Sequence, residues 1–437
     1  MPSVFLLSLG CDKNLTDSEK LLHELAAAGF TLTDDPAEAD HAVVNTCCFT
    51  EEAKKESIEE IMELSRIKEG GRLKTIIVAG CMAERYIDTL AEIMPEADRV
   101  VPLSSFFDIP DILAGGNSDR ASGLTAGGRE HISRVITTGG VYEYLKIADG
   151  CNRNCTYCAI PLIRGRYRSY PEEQLLAEAR GLAIRGVKEL ILVAQETSLY
   201  GIDLYGEKRL PELVRKLCGI DGIEHIRLLY VYPESVDDEL IDLIRTEDKV
   251  LNYLDLPVQH GSDRILKLMG RHTDRASIHG VIDRLRTAVP GIALRTSLIT
   301  GFPGETEEDH EILMDFVRTE RFDRLGVFIY SREEGTKAYS MPGQVHWKTK
   351  ERRRNALMEL QQGIAFEKAH SLTGQEMKVM VDGFLPEENV YACRSYRDAP
   401  DVDGLVFLKA DREMMSGTLV NCRITGSAGY DLEAEEI

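Results

Sequence analysis

No stretch of the 437 residues approaches the roughly 20 consecutive apolar residues that a membrane-spanning helix needs. The N-terminus, MPSVFLLSLGCDKN, has too short an apolar run for a secretory signal and lacks the basic region that would precede one. The cytoplasm is therefore the expected location, with no membrane partner. Positive charge is also scarce: 52 Lys and Arg face 73 Asp and Glu, a formal net charge of -21. That disfavours general nucleic-acid binding, which neutralises phosphates with Lys and Arg. It suits a basic partner, or simply keeps the chain in solution. The deficit is uneven, with ten basic against 22 acidic residues over 1–118 and six against 13 over 369–437. No internal repeat and no low-complexity tract is present. With 43% apolar and 29% charged residues, the composition is that of an ordinary globular chain of about two to four domains. A chain this long can bury its cores without disulfide staples.

Cysteine, by contrast, is plentiful: Cys11, Cys47, Cys48, Cys81, Cys151, Cys155, Cys158, Cys218, Cys393 and Cys422. In a reducing compartment disulfides are disfavoured, and clustered thiols point to metal binding or catalysis. Cys218 and Cys422 lie among apolar neighbours and read as small buried hydrophobes. The run DGCNRNCTYC sets Cys151, Cys155 and Cys158 in a C-x3-C-x2-C array. Three thiolates so close can hold one iron–sulfur cluster. On a four-iron cube three ligands leave one iron open to a small chelating ligand. The alternative is a structural zinc site, which wants four ligands, and no adjacent fourth Cys or His follows.

Strand and helix signals alternate from the start. SVFLLSL, HAVVNT and LKTIIVAG read as strands, with helices over TDSEKLLHELAAAGF, TEEAKKESIEEIMELSRIK and MAERYIDTLAEIM. Thr16 or Asp17 is a candidate cap for the first helix and Gly29 its stop. Such alternation predicts a parallel sheet flanked by helices. Cys11, Cys47 and Cys81 each follow one of the three strands, at the edge where parallel sheets bind ligands. Either the three thiols converge there or the placement is a coincidence among ten cysteines. Cys48, beside Cys47, reads as a bystander. Residues 114–140, rich in Gly and Ser, read as a linker or exposed crossing.

Six further strands, VYEYLKIA, KELILVAQ, HIRLLYVY, LNYLDLPV, ALRTSLIT and RLGVFIY, alternate with helical stretches. They fit a full or partial β/α barrel whose chemistry sits at the C-terminal strand ends. The C-x3-C-x2-C array follows the first of them. One long helix is predicted over KTKERRRNALMELQQGIAFEKAHSLTG. The last ~65 residues contain EMKVMVDGFL, VYACRSY, GLVFLKA and GTLVNCRITGS with Gly-bearing turns, and predict a small antiparallel barrel.

The array at 151–158 resembles that of the radical S-adenosylmethionine (SAM) enzymes, and Tyr157 matches the aromatic often found beside its last ligand. SLGCDKNLTDSE, VNTCCFTEEAKKES, VAGCMAERY, DGCNRNCTYCAIPLIRGRYRS, VAQETSLYG, PVQHGSDRILKLMGR and TGFPGETEEDH together resemble the methylthiotransferase family, across essentially the whole chain. Within it, GCDKNLTDSE and RSYRDAPDVDG resemble the type that modifies a ribosomal-protein aspartate. Glu196 departs from the Asp usual there but keeps the carboxylate.

The resemblance implies an α/β fold in three parts: an N-terminal parallel-sheet α/β domain over 1–118, a linker over 119–136, a radical SAM partial β/α (TIM-like) barrel over 137–366 and a TRAM-like antiparallel β-barrel over 369–437. It implies two [4Fe–4S] clusters, one on Cys151, Cys155 and Cys158 that binds SAM, and an auxiliary one on Cys11, Cys47 and Cys81. The first would generate a 5′-deoxyadenosyl radical that takes a hydrogen from the aspartate β-carbon. The second would hold the sulfur that, methylated by a second SAM, becomes the methylthio group. The implied partners are small-subunit ribosomal protein twelve, free or on the ribosome, an electron donor and a sulfur donor. The alternative within the family is methylthiolation of a tRNA adenosine. The Lys-Asn and Asp-Ser-Glu pattern and the acidic C-terminal barrel speak against it, and nucleic acid is not the expected substrate. Gln195, Gln259, His260 and Arg295, at strand ends, are candidate SAM or substrate contacts, with Arg295 able to pair with a carboxylate. GFPGE at 301–305 resembles a turn at the SAM site. Arg164, Arg166 and Arg168 are expected as a basic patch facing an acidic loop, or as ordinary surface charge.

Overall fold

The computed structural model describes residues 1–115 and 133–437. The first sheet holds β1 (Ser3–Ser8), β2 (Thr31–Thr33), β3 (His41–Thr46), β4 (Thr75–Gly80) and β5 (Arg99–Val101), all parallel, in the order β2-β1-β3-β4-β5. Helices α1 (Asp12–Ala27), α2 (Glu51–Gly70), α3 (Cys81–Arg85) and α4 (Ile87–Ile93) connect them. Successive residues of β3 and β4 feed opposite cores, as the period of a strand requires. Val43 and Ile77 pack with Leu21 and Leu25 of α1, while Val44, Ile76 and Val78 pack with Ile61 and Leu64 of α2. Helix α1 begins a turn before the expected cap. Thr16 lies inside it and its hydroxyl donates to the Asp12 carbonyl at 2.9 Å, so neither Thr16 nor Asp17 caps the helix. The helix expected over 82–94 is two, broken at Tyr86.

The second sheet is a partial barrel. β6 (Tyr142–Lys146) leads through a short ribbon of β7 (Ala148–Asp149) and β8 (Arg168–Ser169) to β9 (Glu189–Val193), β10 (His225–Leu228), β11 (Val250–Asp255), β12 (Ala293–Thr300) and β13 (Arg324–Ile329). The six long strands are parallel in the order β6-β9-β10-β11-β12-β13, and all six were legible as apolar runs. Tyr144, Ile191, Val193, Leu229, Leu251 and Tyr253 fill the lumen.

The third sheet is a closed barrel of β14 (Glu376–Leu385), β15 (Val390–Ser395), β16 (Val406–Lys409), β17 (Leu419–Ala428) and β18 (Asp431–Glu436), ordered β14-β15-β16-β18-β17. The helix Trp347–Ser371 leads into it. Four of its strand pairs are antiparallel, but β16 and β18 run parallel. A closed ring of five strands cannot alternate direction all the way round, so one parallel pair is unavoidable.

The linker expected over 119–136 lies outside the described residues up to 132. Where the chain resumes, exposed residues such as Ser133, Thr137 and Gly139 flank a buried anchor. Arg134 is buried, with Glu143 at 3.0 Å, Glu19 at 3.4 Å and Glu178 at 3.7 Å. Among the described residues no helix is long and apolar enough to cross a membrane.

Candidate functional site

Cys151, Cys155 and Cys158 lie in the loop between β7 and β8, at the C-terminal edge of the barrel. Cys151 and Cys155 are buried and Cys158 half-buried. The loop is held by Thr156, whose backbone N–H donates to the Met269 carbonyl at 2.8 Å and whose hydroxyl donates to the Leu268 carbonyl at 2.8 Å. Burial pushes the Cys151 thiol up to about 11, and the Cys158 thiol up to about 12. The Arg153 and Ile160 backbone amides act the other way, and the Arg153 N–H donates to Cys151 Sγ at 3.4 Å. Beside the thiols a cavity of about 100 Å³ is lined by Arg153, Cys155, Tyr232 and Arg271, among others. Two guanidiniums approach the Tyr232 ring, Arg153 at 4.8 Å and Arg271 at 4.2 Å from its centroid. Arg153 pairs with buried Glu196 at 3.1 Å, and Arg271 with Glu234 at 3.0 Å.

The other three thiols sit at the C-terminal edge of the first sheet. The strand order makes β1, β3 and β4 neighbours, about 4.8 Å apart, so Cys11, Cys47 and Cys81 end adjacent strands at one edge. Gly10 and Gly80 precede two of them at φ +90° and +89°. A Cβ on Gly10 would stand 2.7 Å from Cys47 Sγ, and one on Gly80 2.3 Å from Asn45 Oδ1. Asn14 ties the loops together. Its Nδ2 donates to the Leu9 carbonyl at 2.9 Å and the Thr46 carbonyl at 3.0 Å, and its Oδ1 accepts from Cys81 Sγ at 3.5 Å. Burial pushes the Cys47 thiol up to about 12 and raises Cys81 as well, while Arg164 draws both down. Cys11 is exposed. Cys48 is fully buried in the core beneath, near Arg85.

The two edges face each other. Arg164 reaches from the barrel to Asp17 at 2.7 Å and to Asn14, and also meets Asp149 at 3.2 Å. Lys146 of β6 pairs with Asp17 as well. Ala159 and Ile163, just past Cys158, pack in one core with Cys81 and Met82. The expected patch of Arg164, Arg166 and Arg168 is therefore not a patch. Arg164 is turned into this interface and only Arg166 is exposed. Across the open seam of the barrel, Glu333, after β13, takes Arg85 at 2.6 Å and Lys54 at 3.1 Å.

Of the other expected residues, Gln195 and Gln259 are half-buried at this rim. Gln195 Oε1 is buried without a hydrogen-bond partner, and Gln259 stands at φ +73°. Arg295 is already engaged by Asp255 at 3.1 Å and Asp403 at 3.9 Å. His260 is fully buried, its Nδ1 accepting from the Ser262 N–H at 2.9 Å, and burial lowers it to about 3. Its Nε2 is buried without a hydrogen-bond partner. In GFPGE, Glu305 accepts from the Phe302 N–H at 3.0 Å and pairs with Arg353 of the helix Trp347–Ser371 at 3.0 Å. Sequence reading assigned no role to Asn14, Arg153, Tyr232 or Arg271. Asn14, Arg153 and Arg271 stand inside the quoted motifs, but partners such as Thr46, Glu196 and Glu234 are distant in the chain.

Among the described residues no three Cys, His, Asp or Glu side chains close around a single metal ion. A polynuclear cluster binds each thiolate on a different iron, so spread triads suit it better than one ion. Left bare, Cys47, Cys81, Cys151 and Cys158 would stay protonated at neutral pH, and the positive charge of bound iron is what would favour their thiolates.

Comparison with known proteins agrees with these three parts. The radical SAM superfamily pattern matches residues 145–317, that of the uncharacterized protein family UPF0004 matches 3–102, and that of the TRAM domain matches 373–437. The ribosomal protein uS12 methylthiotransferase RimO of Lachnoclostridium phytofermentans is 52% identical over 433 residues, 98% of each chain. That of Acetivibrio thermocellus is 47% identical, covering 99% of this chain and 98% of its own. Among solved structures, the radical SAM methyltransferase TsrM from Kitasatospora setae, with cobalamin and a [4Fe-4S] cluster bound, superposes with a TM-score of 0.55 at 15% identity over 75% of each chain. That likeness is one of fold.

Proposed function

The chain belongs to the RimO family of ribosomal protein uS12 methylthiotransferases, and we propose that its two thiol triads are where the reaction is carried out. It is a radical SAM enzyme that adds a methylthio group to the β-carbon of an aspartate of uS12, with SAM and two [4Fe–4S] clusters as cofactors. Cys151, Cys155 and Cys158 would hold the SAM-binding cluster, which supplies the electron for SAM cleavage, and Cys11, Cys47 and Cys81 the auxiliary cluster, which supplies an iron to carry sulfur. The observation that carries this assignment is that the two triads end facing strand edges and are joined through Asn14 and Arg164. An unactivated C–H bond gives acid–base groups nothing to act on. The residues therefore work by alignment and by excluding water.

In this reading Gln195 and Gln259 contact SAM, and the unpartnered Gln195 Oε1 has an acceptor to offer. Arg295 braces the lumen wall through Asp255. The division of the chain into 1–118, 137–366 and 369–437 follows the same assignment. The enzyme would draw on a one-electron donor and a sulfur donor, and would work in the cytoplasm with its substrate.

The test is an anaerobic competition with reconstituted enzyme, reductant, SAM and sulfide, offering small ribosomal subunits and bulk tRNA together. Mass spectrometry should find SCH3 replacing H on one uS12 aspartate. A gain on a tRNA adenosine instead would overturn the substrate.

A further inference from the structure

The first turn of α1 dips toward the barrel lumen, where Leu15 packs against the lumen side chains. Beside it Lys13 is buried, its Nζ 3.2 Å from the centroid of the Tyr230 ring. Tyr230 follows β10 and stands at φ +59°, a backbone conformation that is strained for an aromatic residue. It is held there by Asp255, whose Oδ2 accepts the Tyr230 N–H at 3.1 Å. The ring also lies within electrostatic reach of Cys11 and Asp12. Lys13 and Tyr230 thus occupy the space between the lumen and the auxiliary thiols.

Several other cations approach this region, but each is held by carboxylates from elsewhere in the chain. Arg153 has Glu196. Arg164 and Lys146 share Asp17 and Asp149. Arg295 has Asp255 and Asp403. Among the described residues Lys13 pairs only with its own neighbour, Asp12, at 2.8 Å. An ammonium has three N–H donors, so one carboxylate oxygen and a ring face leave it able to take another anion. An aspartate side chain entering this space brings a negative charge that is costly to bury unpaired.

We propose that Lys13, seated on the Tyr230 ring, receives the carboxylate of the substrate aspartate and thereby selects the residue to be modified. The inference rests on uS12 aspartate being the substrate. A bond from the ammonium to the carboxylate leaves the β-carbon free, and fixes it beside the auxiliary thiols. An asparagine has the same shape but no charge and gains little from the contact.

The test is binding of full-length uS12 to the anaerobically reconstituted holoenzyme, with aspartate or asparagine at the modified position and without turnover. The parent enzyme should prefer the aspartate form by about ten- to a hundredfold, as a charge-assisted hydrogen bond implies. Lys13→Met should abolish that preference while still binding the asparagine form, and Lys13→Arg should keep most of it. If Lys13→Met binds neither form, Lys13→Gln makes the same comparison. A preference that survives in these neutral variants, or is absent from the parent, overturns the role of Lys13. A parent enzyme that binds neither form of uS12 instead overturns the proposed substrate.

Discussion

Cys47 and Cys81 are pushed toward the neutral thiol by burial, and the Arg164 guanidinium is the charge that opposes it. If they serve the auxiliary cluster, replacing Cys11, Cys47 or Cys81 by Ala should stop methylthiolation and lower bound iron. Reductive cleavage of SAM should persist, because the second triad is untouched. Loss of SAM cleavage in those variants would sink the division of labour. Asn14 is a second test at this scale. Its Nδ2 satisfies two carbonyls on two different loops, and burying those without a partner costs roughly 1–3 kcal/mol each. Asn14→Ala should show reduced stability in chemical unfolding and a lower iron content. The cysteines were legible because each follows a strand. Asn14 was visible only as part of a family pattern, since Thr46, one of its partners, is 32 residues away.

Among the elements, the turns into α1 and α3 are set by glycine. At Gly80, positive φ and a Cβ position 2.7 Å from the Thr46 backbone nitrogen leave no room for a side chain. Gly80→Ala should cost about 1–3 kcal/mol through strain and displace Cys81. Thermal unfolding and the auxiliary-cluster absorbance should both register it. Strand β18 was not foreseen, because four of the six residues of DLEAEE are acidic. Leu432 and Ala434 nonetheless alternate into the small barrel's core, and two apolar residues are too weak a signal without their neighbours. The start of α1 was misjudged for a related reason. Thr16 and Asp17 have the chemistry of caps, but the Thr16 hydroxyl bonds back to the Asp12 carbonyl of its own helix, and Asp17 is held by Lys146 and Arg164.

Ion pairs between the parts of the molecule add to the apolar contact of Ala159 and Ile163 with Cys81 and Met82. The loop after β15 closes the lumen from the N-terminal strand ends. Ala399 packs within it, Asp403 accepts from the Tyr253 hydroxyl at 2.7 Å, and Arg324 pairs with Asp398 at 2.6 Å. Alongside, Arg394 of β15 and Arg227 of β10 share Glu189 of β9. Burial opposes the charge on Glu189, but Arg227 and Arg394 hold the carboxyl down to about 2, below the ordinary 4.5. Its contribution to stability is therefore present above about pH 4.5 and is lost as pH falls toward 2. Glu189→Gln should be less stable than the parent by about 3 kcal/mol at neutral pH, with the gap narrowing below about pH 4.5. Urea unfolding across pH reads this directly, and a gap that does not change with pH would count against the pairing. Glu333→Gln tests the other junction. Hydrogen exchange should rise at residues 83–86 and 331–336 as Lys54 and Arg85 lose their shared carboxylate.

The local alternation of strand and helix, the six barrel strands and the C-x3-C-x2-C loop were legible in the chain, because apolar period and close spacing are properties of neighbouring residues. So was a cysteine after each of three strands. That those strands are adjacent, that Arg164 faces inward, that Arg295 is already paired and that Lys13 lies on Tyr230 emerges from the folded chain. Strand order and ion pairing depend on residues tens to hundreds of positions apart, and their energies exist only once the sheets have met.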